Sequence, residues 1–253
     1  MPETSTYPVF SVITITYNAE KTLKNTIRSV AEQISNYPQI EYIIIDGASR
    51  DDTLLIVDQN NQYITKMISE PDEGLYDAMN KGIDLATGDY LCFLNAGDTF
   101  YKPDTLKQIA ERVMLENFPD IIYGETAIVD STGKFLHLRR LRAPKTLTWK
   151  SFKKGMLVCH QAFFVKHTQV EYYDTKYRYS ADFEWAIRIM KKAKAIYNTR
   201  LTLINYLDEG LTTNNRFDSL WERFHIMRHH YGILSTVGYH IIFIFRLLFL
   251  RSK

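Results

Sequence analysis

Apolar positions in the first part of the chain follow two alternating periods. Val9 to Thr16 reads Val-Phe-Ser-Val-Ile-Thr-Ile-Thr, a β-branched run that predicts a strand. After Asn18, apolar residues recur at Leu23, Ile27, Val30 and Ile34, a helical spacing that leaves Lys21, Lys24 and Arg28 for solvent. Tyr42 to Ile45 predicts a second strand ending at Asp46, with Asp51, Asp52 and Thr53 offering caps for a helix through Leu54, Leu55 and Val57. Met67 and Ile68 mark a short strand before the polar loop Glu70-Pro71-Asp72-Glu73-Gly74. Leu75, Ala78, Met79, Gly82 and Ile83 predict a helix that closes near Gly88, and Tyr90 to Leu94 the next strand. Pro103 and Asp104 open a helix through Leu106, Ile109 and Val113.

This order, strand and helix alternating to about residue 115, predicts an α/β fold with a parallel sheet covered on both faces. The all-apolar strands agree, because parallel strands are buried on both sides. Ligand-binding residues of such sheets lie where strands end, here Thr16 to Asn18, Asp46 to Ser49, Glu70 to Gly74 and Asn95 to Asp98. The last of these follows the run Gly88-Asp89-Tyr90-Leu91-Cys92-Phe93-Leu94. A carboxylate at such a position suits a divalent cation carrying substrate phosphates. Asn-x-Gly-Asp is also a good turn, so its weight comes from Asp46, which ends an earlier strand in the same way.

The second half has a different texture. Ala127 to Val129, a polar turn at Asp130-Ser131-Thr132-Gly133, and Lys134 to Leu138 predict a hairpin. Arg139 to Lys154 carries seven Lys or Arg residues and no acid. It reads either as a solvated basic loop or, given Trp149 and Phe152, as a face for phosphates or an anionic membrane. Ser180 is a candidate N-cap for a helix bearing Trp185, Ile189 and Met190 on its apolar side, with Asp182 and Glu184 in its first turn. Those acids read as ordinary helix-start residues or as the source of a general base. Phe217 to Tyr231 predicts a polar and aromatic helix, and Ile233 to Leu250 a strongly apolar one interrupted by Arg246. The length of the latter is at the lower edge of what spans a bilayer. Ser235, Thr236, Tyr239 and Arg246 share one side of it, which fits a helix lying in a membrane interface or packed on protein.

Composition narrows these readings. The 253 residues, 45% hydrophobic and 24% charged, suit one large domain or two small ones with a full core. A formal net charge of +2 gives no argument for nucleic acid. The two cysteines, Cys92 and Cys159, lack zinc-type spacing and fit a reducing, cytosolic compartment. Met1 to Pro8 lacks the plan of a signal peptide. No G-x-G-x-x-G or Walker-type lysine loop follows the first strand, which counts against a dinucleotide oxidoreductase and a P-loop enzyme. Phosphate must then be handled by a metal or by scattered polar groups.

Taken as an ordered set, Ser11 to Asn18, Ile45 to Thr53, Ser69 to Gly82, Phe93 to Asp98, His160-Gln161 and Ser180 to Phe183 resemble glycosyltransferase family 2 over about residues 8 to 215. The resemblance is nearest to the branch that builds bacterial surface polysaccharides. It implies a GT-A fold, with a Rossmann-like, mostly parallel central sheet flanked by helices. Residues 1–125 would form a nucleotide-sugar-binding half, 126–215 an acceptor-side catalytic half, and 216–253 a helical tail. It implies an inverting transfer from a nucleotide-sugar, in the first instance a UDP-sugar, to a hydroxyl of a glycan or polyprenyl-linked saccharide. The expected compartment is the cytoplasm, with the tail reaching the inner face of the membrane.

Carried over residue by residue, the resemblance implies donor contacts from Thr16, Tyr17, Asn18, Glu20, Asp46, Ser49, Asp72, Asn80 and Asn95. Asp98 would bind Mn²⁺ or Mg²⁺, with His160 either a second ligand or a hydrogen-bonded core residue. Asp182 would be the catalytic base. Asp208-Glu209-Gly210-Leu211-Thr212-Thr213 resembles a loop that closes near the donor, and reads equally as an acidic turn. The chain departs from the family's D-x-D pattern, since Asn95 and Gly97 stand where many members have acids. That departure keeps a non-catalytic sugar-nucleotide-binding or scaffold protein as the alternative. A nucleotidyltransferase is disfavoured because Tyr17-Asn18-Ala19-Glu20 is not a basic, glycine-rich phosphate loop.

Overall fold

The structure, a computed structural model, describes residues 7–208 and 216–250. Its first half runs β1 (Phe10–Thr16), α1 (Leu23–Asn36), β2 (Ile40–Asp46), α2 (Thr53–Gln59), β3 (Lys66–Ser69), α3 (Leu75–Leu85), β4 (Tyr90–Phe93), β5 (Thr99–Phe100) and α4 (Thr105–Leu115). The second half runs β6 (Ile121–Val129), β7 (Phe135–Leu138), β8 (Phe163–Lys166), α5 (Ala181–Lys192), β9 (Ile196–Leu207), α6 (Arg216–Tyr231) and α7 (Ile233–Leu250). One mixed sheet has the order β3-β2-β1-β4-β8-β6-β9-β5, with β7 paired to β6.

Strands β1 to β4 pair in parallel, which puts their carboxyl ends on one edge. β1 is buried along its whole length, as a central parallel strand must be. Helices α1, α3 and α4 bury the apolar stripes predicted from their spacing, including Leu23, Ile27, Val30, Met79, Ile83, Leu106 and Ile109. At the opposite edge, Glu41 of β2 accepts hydrogen bonds from Ser11, Lys66 and Thr87, so one buried carboxylate ties β1, β3 and the end of α3 together.

β8 runs antiparallel to β4 and to β6, and β9 is parallel to β6 and antiparallel to β5. The predicted hairpin is present as β6 and β7, although β6 starts earlier, at Ile121. Strands β5, β8 and β9 carry no periodic signal long enough to predict. Helix α5 is anchored by aromatic packing: Trp185 stacks on Tyr173 at 4.7 Å and Phe183 on Phe152 at 5.6 Å. The predicted caps differ in detail. The Ser180 hydroxyl caps no helix N–H and pairs with the Ser219 hydroxyl of α6 at 3.2 Å. Asp52 makes no side-chain cap, while Asp51 accepts from the N–H and hydroxyl of Thr53.

The basic stretch does not form a free loop throughout. Residues Trp149–Lys154 make a short 3₁₀ helix whose Trp149 stacks on Tyr231 of α6 at 5.4 Å. α7 turns its polar side inward: Thr236 is buried and Tyr239 and Phe243 pack against the core. Ile233, Leu234, Val237, Ile241 and Ile242 are exposed, Leu234 by 89%. Among the described residues, no helix is long and apolar enough to cross a membrane. The Arg246 side chain and the 209–213 part of the acidic loop lie outside what is described.

Candidate active site

The site forms at the carboxyl edge of β1 to β4, because the loops after these strands must emerge side by side. Hydrogen bonds weld the first two loops together. Asn18 N–H donates to Ser49 Oγ at 2.8 Å, and Arg50 N–H donates to Asn18 Oδ1 at 2.9 Å. Glu20 and Asp51 add reciprocal main-chain contacts, Glu20 N–H to Asp51 Oδ2 and Asp52 N–H to Glu20 Oε2. Asn18 adopts φ +47°, a left-handed conformation that asparagine tolerates. Asp46 is fully buried and accepts from Ser49 N–H, Ser49 Oγ and Ser69 Oγ. A carboxylate has about four acceptor positions, so one remains. Asp72 closes over this loop: a Cβ on Gly47 would lie 2.5 Å from Asp72 Oδ2, so only glycine admits that approach. Tyr17 is exposed, while the Thr16 hydroxyl is buried with no hydrogen-bond partner.

Asn80 stands apart from these residues. Both of its amide atoms bond the main chain of Tyr173, which fixes the segment before α5 against α3.

Asp98 follows a tight turn at Gly97, whose φ is +106°. A Cβ at Gly97 would meet the end of the Leu207 side chain at 2.8 Å, which that side chain can yield, so the positive φ is what disfavours an acid there. Asp98 is 4% exposed, with Oδ1 accepting from Leu207 N–H at 3.0 Å and Oδ2 from Gln161 Nε2 at 2.7 Å. Burial pushes its pKa up to about 6, even though both hydrogen bonds and nearby His160 pull the other way. The antiparallel pairing of β8 with β4 carries His160 and Gln161 to this edge. His160 Nε2 lies 3.4 Å from Asn95 Nδ2, and Asn95 Oδ1 is buried without a partner.

The other ring nitrogen, Nδ1, is 3.5 Å from Asp182 Oδ2. Asp182 Oδ1 accepts from Tyr76 Oη at 3.1 Å and from Phe183 N–H at 2.8 Å. Burial raises the Asp182 pKa, but the His160 contact, the Arg223 charge and the Phe183 N–H together hold it below the usual carboxylate range. The start of α5 is clamped from α6, where Glu222 accepts from the N–H groups of Arg178 and Tyr179 at 2.7 and 2.8 Å. Asp98 and Asp182, 84 positions apart in sequence (182 − 98), are thus joined through the consecutive residues His160 and Gln161.

The family model for glycosyl transferase family 2 matches residues 11–171, which include every strand-end loop just described. The chain belongs to glycosyltransferase family 2. A glycosyltransferase of PGL/p-HBAD biosynthesis from Mycobacterium bovis (strain BCG / Pasteur 1173P2) is 34% identical over 191 residues, covering 72% of this chain and 69% of its own length. The amylovoran biosynthesis glycosyltransferase AmsB of Erwinia amylovora is 35% identical over 141 residues, covering 53% of this chain and 46% of its own. Among solved structures, S. aureus TarS 1-349 in complex with UDP-GlcNAc superposes with a TM-score of 0.69 at 18% identity, over 87% of this chain and 64% of that one. The mannosyltransferase PcManGT from Pyrobaculum calidifontis, in complex with GDP-Man and Mn²⁺, gives 0.61 at 15% identity, over 92% and 74%. At these identities the structures establish the GT-A type fold of this family 2 glycosyltransferase.

A metal can be tested against the residues present. Among the described residues no group of three His, Cys, Asp or Glu side chains could hold an ion. The buried Asp98 carboxylate, with His160 near it, fits a cation that keeps water and draws its other ligands from phosphates. Gln161 and Tyr76 contact the candidate residues Asp98 and Asp182, and the sequence alone does not announce either contact. Both lie inside the matched motifs, but their partners are 63 and 106 positions away.

Proposed function

We propose that this family 2 glycosyltransferase inverts the anomeric centre of a nucleotide-sugar as it transfers the sugar to a hydroxyl of a glycan or polyprenyl-linked saccharide. The convergence of Asp98 and Asp182 through His160 and Gln161 carries this reading. Asp182 takes the acceptor proton as the hydroxyl attacks from the face opposite the leaving group. Its depressed pKa keeps it ionised at neutral pH and so able to accept. Thr16 Oγ1 and Asn95 Oδ1, buried without partners, have hydrogen-bonding capacity for the donor. Asp46 offers its remaining acceptor position to a ring N–H or ribose hydroxyl, while Tyr17, Asn18, Glu20, Ser49 and Asp72 shape the pocket around it. Asp98, with His160, would hold Mn²⁺ or Mg²⁺, which supplies Lewis-acid stabilisation to the departing diphosphate. Positioning of donor against acceptor supplies the rest.

The exposed apolar face of α7, with exposed Lys150 and Lys154 on the 3₁₀ helix that contacts α7, supports work at an anionic membrane surface, where a lipid-linked acceptor would be met. The complex of TarS with UDP-GlcNAc makes UDP-sugars the first donors to try. The test is release of nucleoside diphosphate from UDP-, GDP- and dTDP-sugars with a polyprenyl-diphosphate saccharide, with the product anomer read by NMR. Release with inversion that is lost in Asp182→Asn supports the reading. Donor binding without turnover returns the argument to a sugar-nucleotide-binding scaffold.

A further inference from the structure

We propose that Tyr76 is a positioning residue that acts through Asp182, holding the carboxylate so that Oδ2 faces the acceptor. This rests on the reading of Asp182 as the base. Tyr76 Oη and Phe183 N–H both donate to Oδ1, at 3.1 and 2.8 Å. Oδ1 is thereby held by two donors at hydrogen-bond distance, whereas Oδ2 meets the His160 ring at 3.5 Å and is the oxygen turned to receive a proton.

Packing fixes where the Tyr76 hydroxyl points. The residue is 7% exposed, and its ring stacks on Tyr173 at 5.5 Å. Tyr173 stacks in turn on Trp185 of α5 at 4.7 Å, and Asn80 brackets the Tyr173 main chain from α3. The tyrosine therefore cannot swing away without disturbing the helix that carries Asp182. Burial and the neighbouring Asp182 charge push its pKa far above the ordinary tyrosine range, so the hydroxyl remains a donor.

The position of Tyr76 in the chain gives this contact a second consequence. It lies in the first turn of α3, two residues after Gly74, whose N–H donates to Asp72 at 2.9 Å. Asp72 is the residue closing over the Asp46–Ser49 loop. One short segment therefore touches the donor loops at one end and the base at the other.

Tyr76→Phe removes one oxygen and keeps the stacked ring. With the UDP-sugar found active in the donor screen, kcat is expected to fall about tenfold, the effect of losing one hydrogen bond to a charged group. Donor KM should be unchanged, and Tm should fall only by the loss of one hydrogen bond. In single-turnover assays on an Asp182→Asn background, Tyr76→Phe should cause no further loss, because its partner is already disabled. An unchanged kcat in Tyr76→Phe, with Asp182→Asn inactive, overturns the proposal and leaves the base assignment standing. Equal losses in both backgrounds reveal a purely structural role and also overturn it. Full turnover in Asp182→Asn removes the base assignment and the proposal with it.

Discussion

Gln161 Nε2 donates a 2.7 Å hydrogen bond to Asp98 Oδ2 inside the protein, where neither side chain meets solvent to any extent. Together with Leu207 N–H on the other oxygen, it sets the orientation of the Asp98 carboxylate. Gln161→Leu keeps the bulk and deletes the donor. Stability should fall by about 1–3 kcal/mol, read from urea unfolding. The thermal shift produced by donor with Mn²⁺ should shrink as Asp98 loses its alignment.

Asp182→Asn keeps the shape of the side chain and removes its basicity. Turnover should drop by about 10²–10⁴, while the donor-induced thermal shift persists, since the donor loops are built from other strands. Asp182→Glu should recover little, because Oδ1 is pinned between Tyr76 and Phe183 and a longer chain cannot keep both contacts. A donor shift lost in Asp182→Asn would mean that the residue binds the donor, and the base assignment would fail.

The donor side of this architecture is legible because its signals are local. Asp46 and Asp98 end apolar runs, and a run that ends in an acid reads as a strand opening into a loop. β5, β8 and β9 are different. Thr99 and Phe100 become a strand only by meeting Asn205 and Ile204, and no local period announces that pairing. Gly97 shows both sides of the limit. The sequence reveals a missing acid, but the positive φ that disfavours one appears only in the fold. Asn80 lies in a family motif, yet its amide pairs with the main chain of Tyr173, 93 positions away. α7, whose pattern fits a membrane interface or packing on protein, turns its polar side to the body of the protein, where Thr236 and Tyr239 find packing.

Metal dependence should appear in binding before it appears in chemistry. With one carboxylate, Asp98, at the candidate metal position, Mn²⁺ or Mg²⁺ alone should bind weakly and shift Tm little, and the shift should become large only with a nucleoside diphosphate present. EDTA should abolish the combined shift, and Asp98→Ala should reproduce that loss. A UDP shift indifferent to both metal and EDTA would exclude Asp98 as a ligand.

Glu41 makes stability depend on pH far from the site. Burial raises its pKa, but donors from Lys66, Ser11 and Thr87 outweigh that and bring it from 4.5 down to about 2. Since the folded value lies below the unfolded one, the contribution is present in full above about 4.5 and is lost as pH falls toward about 2. The difference corresponds to about 3 kcal/mol. Glu41→Gln should therefore lower the unfolding free energy by roughly that amount at pH 7. The gap between variant and wild type should narrow steadily below pH 4.5, read from denaturant midpoints at each pH. A gap independent of pH would show that lost shape, not charge, dominates.

The exposed face of α7 carries the last prediction. A row of Ile233, Leu234, Val237 and Ile241 in contact with water is costly, and each of these side chains would gain by entering an apolar phase. The 3₁₀ helix that Trp149 locks to α6 also contacts α7, and it exposes Lys150 and Lys154. An exposed apolar row and exposed lysines on two elements in contact suit the boundary of an anionic bilayer, where both parts gain. The protein should co-sediment with phosphatidylglycerol vesicles and much less with phosphatidylcholine vesicles. Leu234→Asp with Ile241→Asp should abolish binding, and Lys150→Glu with Lys154→Glu should remove the preference for anionic lipid while the vesicle-free donor shift stays intact. Concentration-dependent dimerisation that disappears in the α7 variant, with no vesicle binding by the wild type, would instead assign this face to a second copy of the chain.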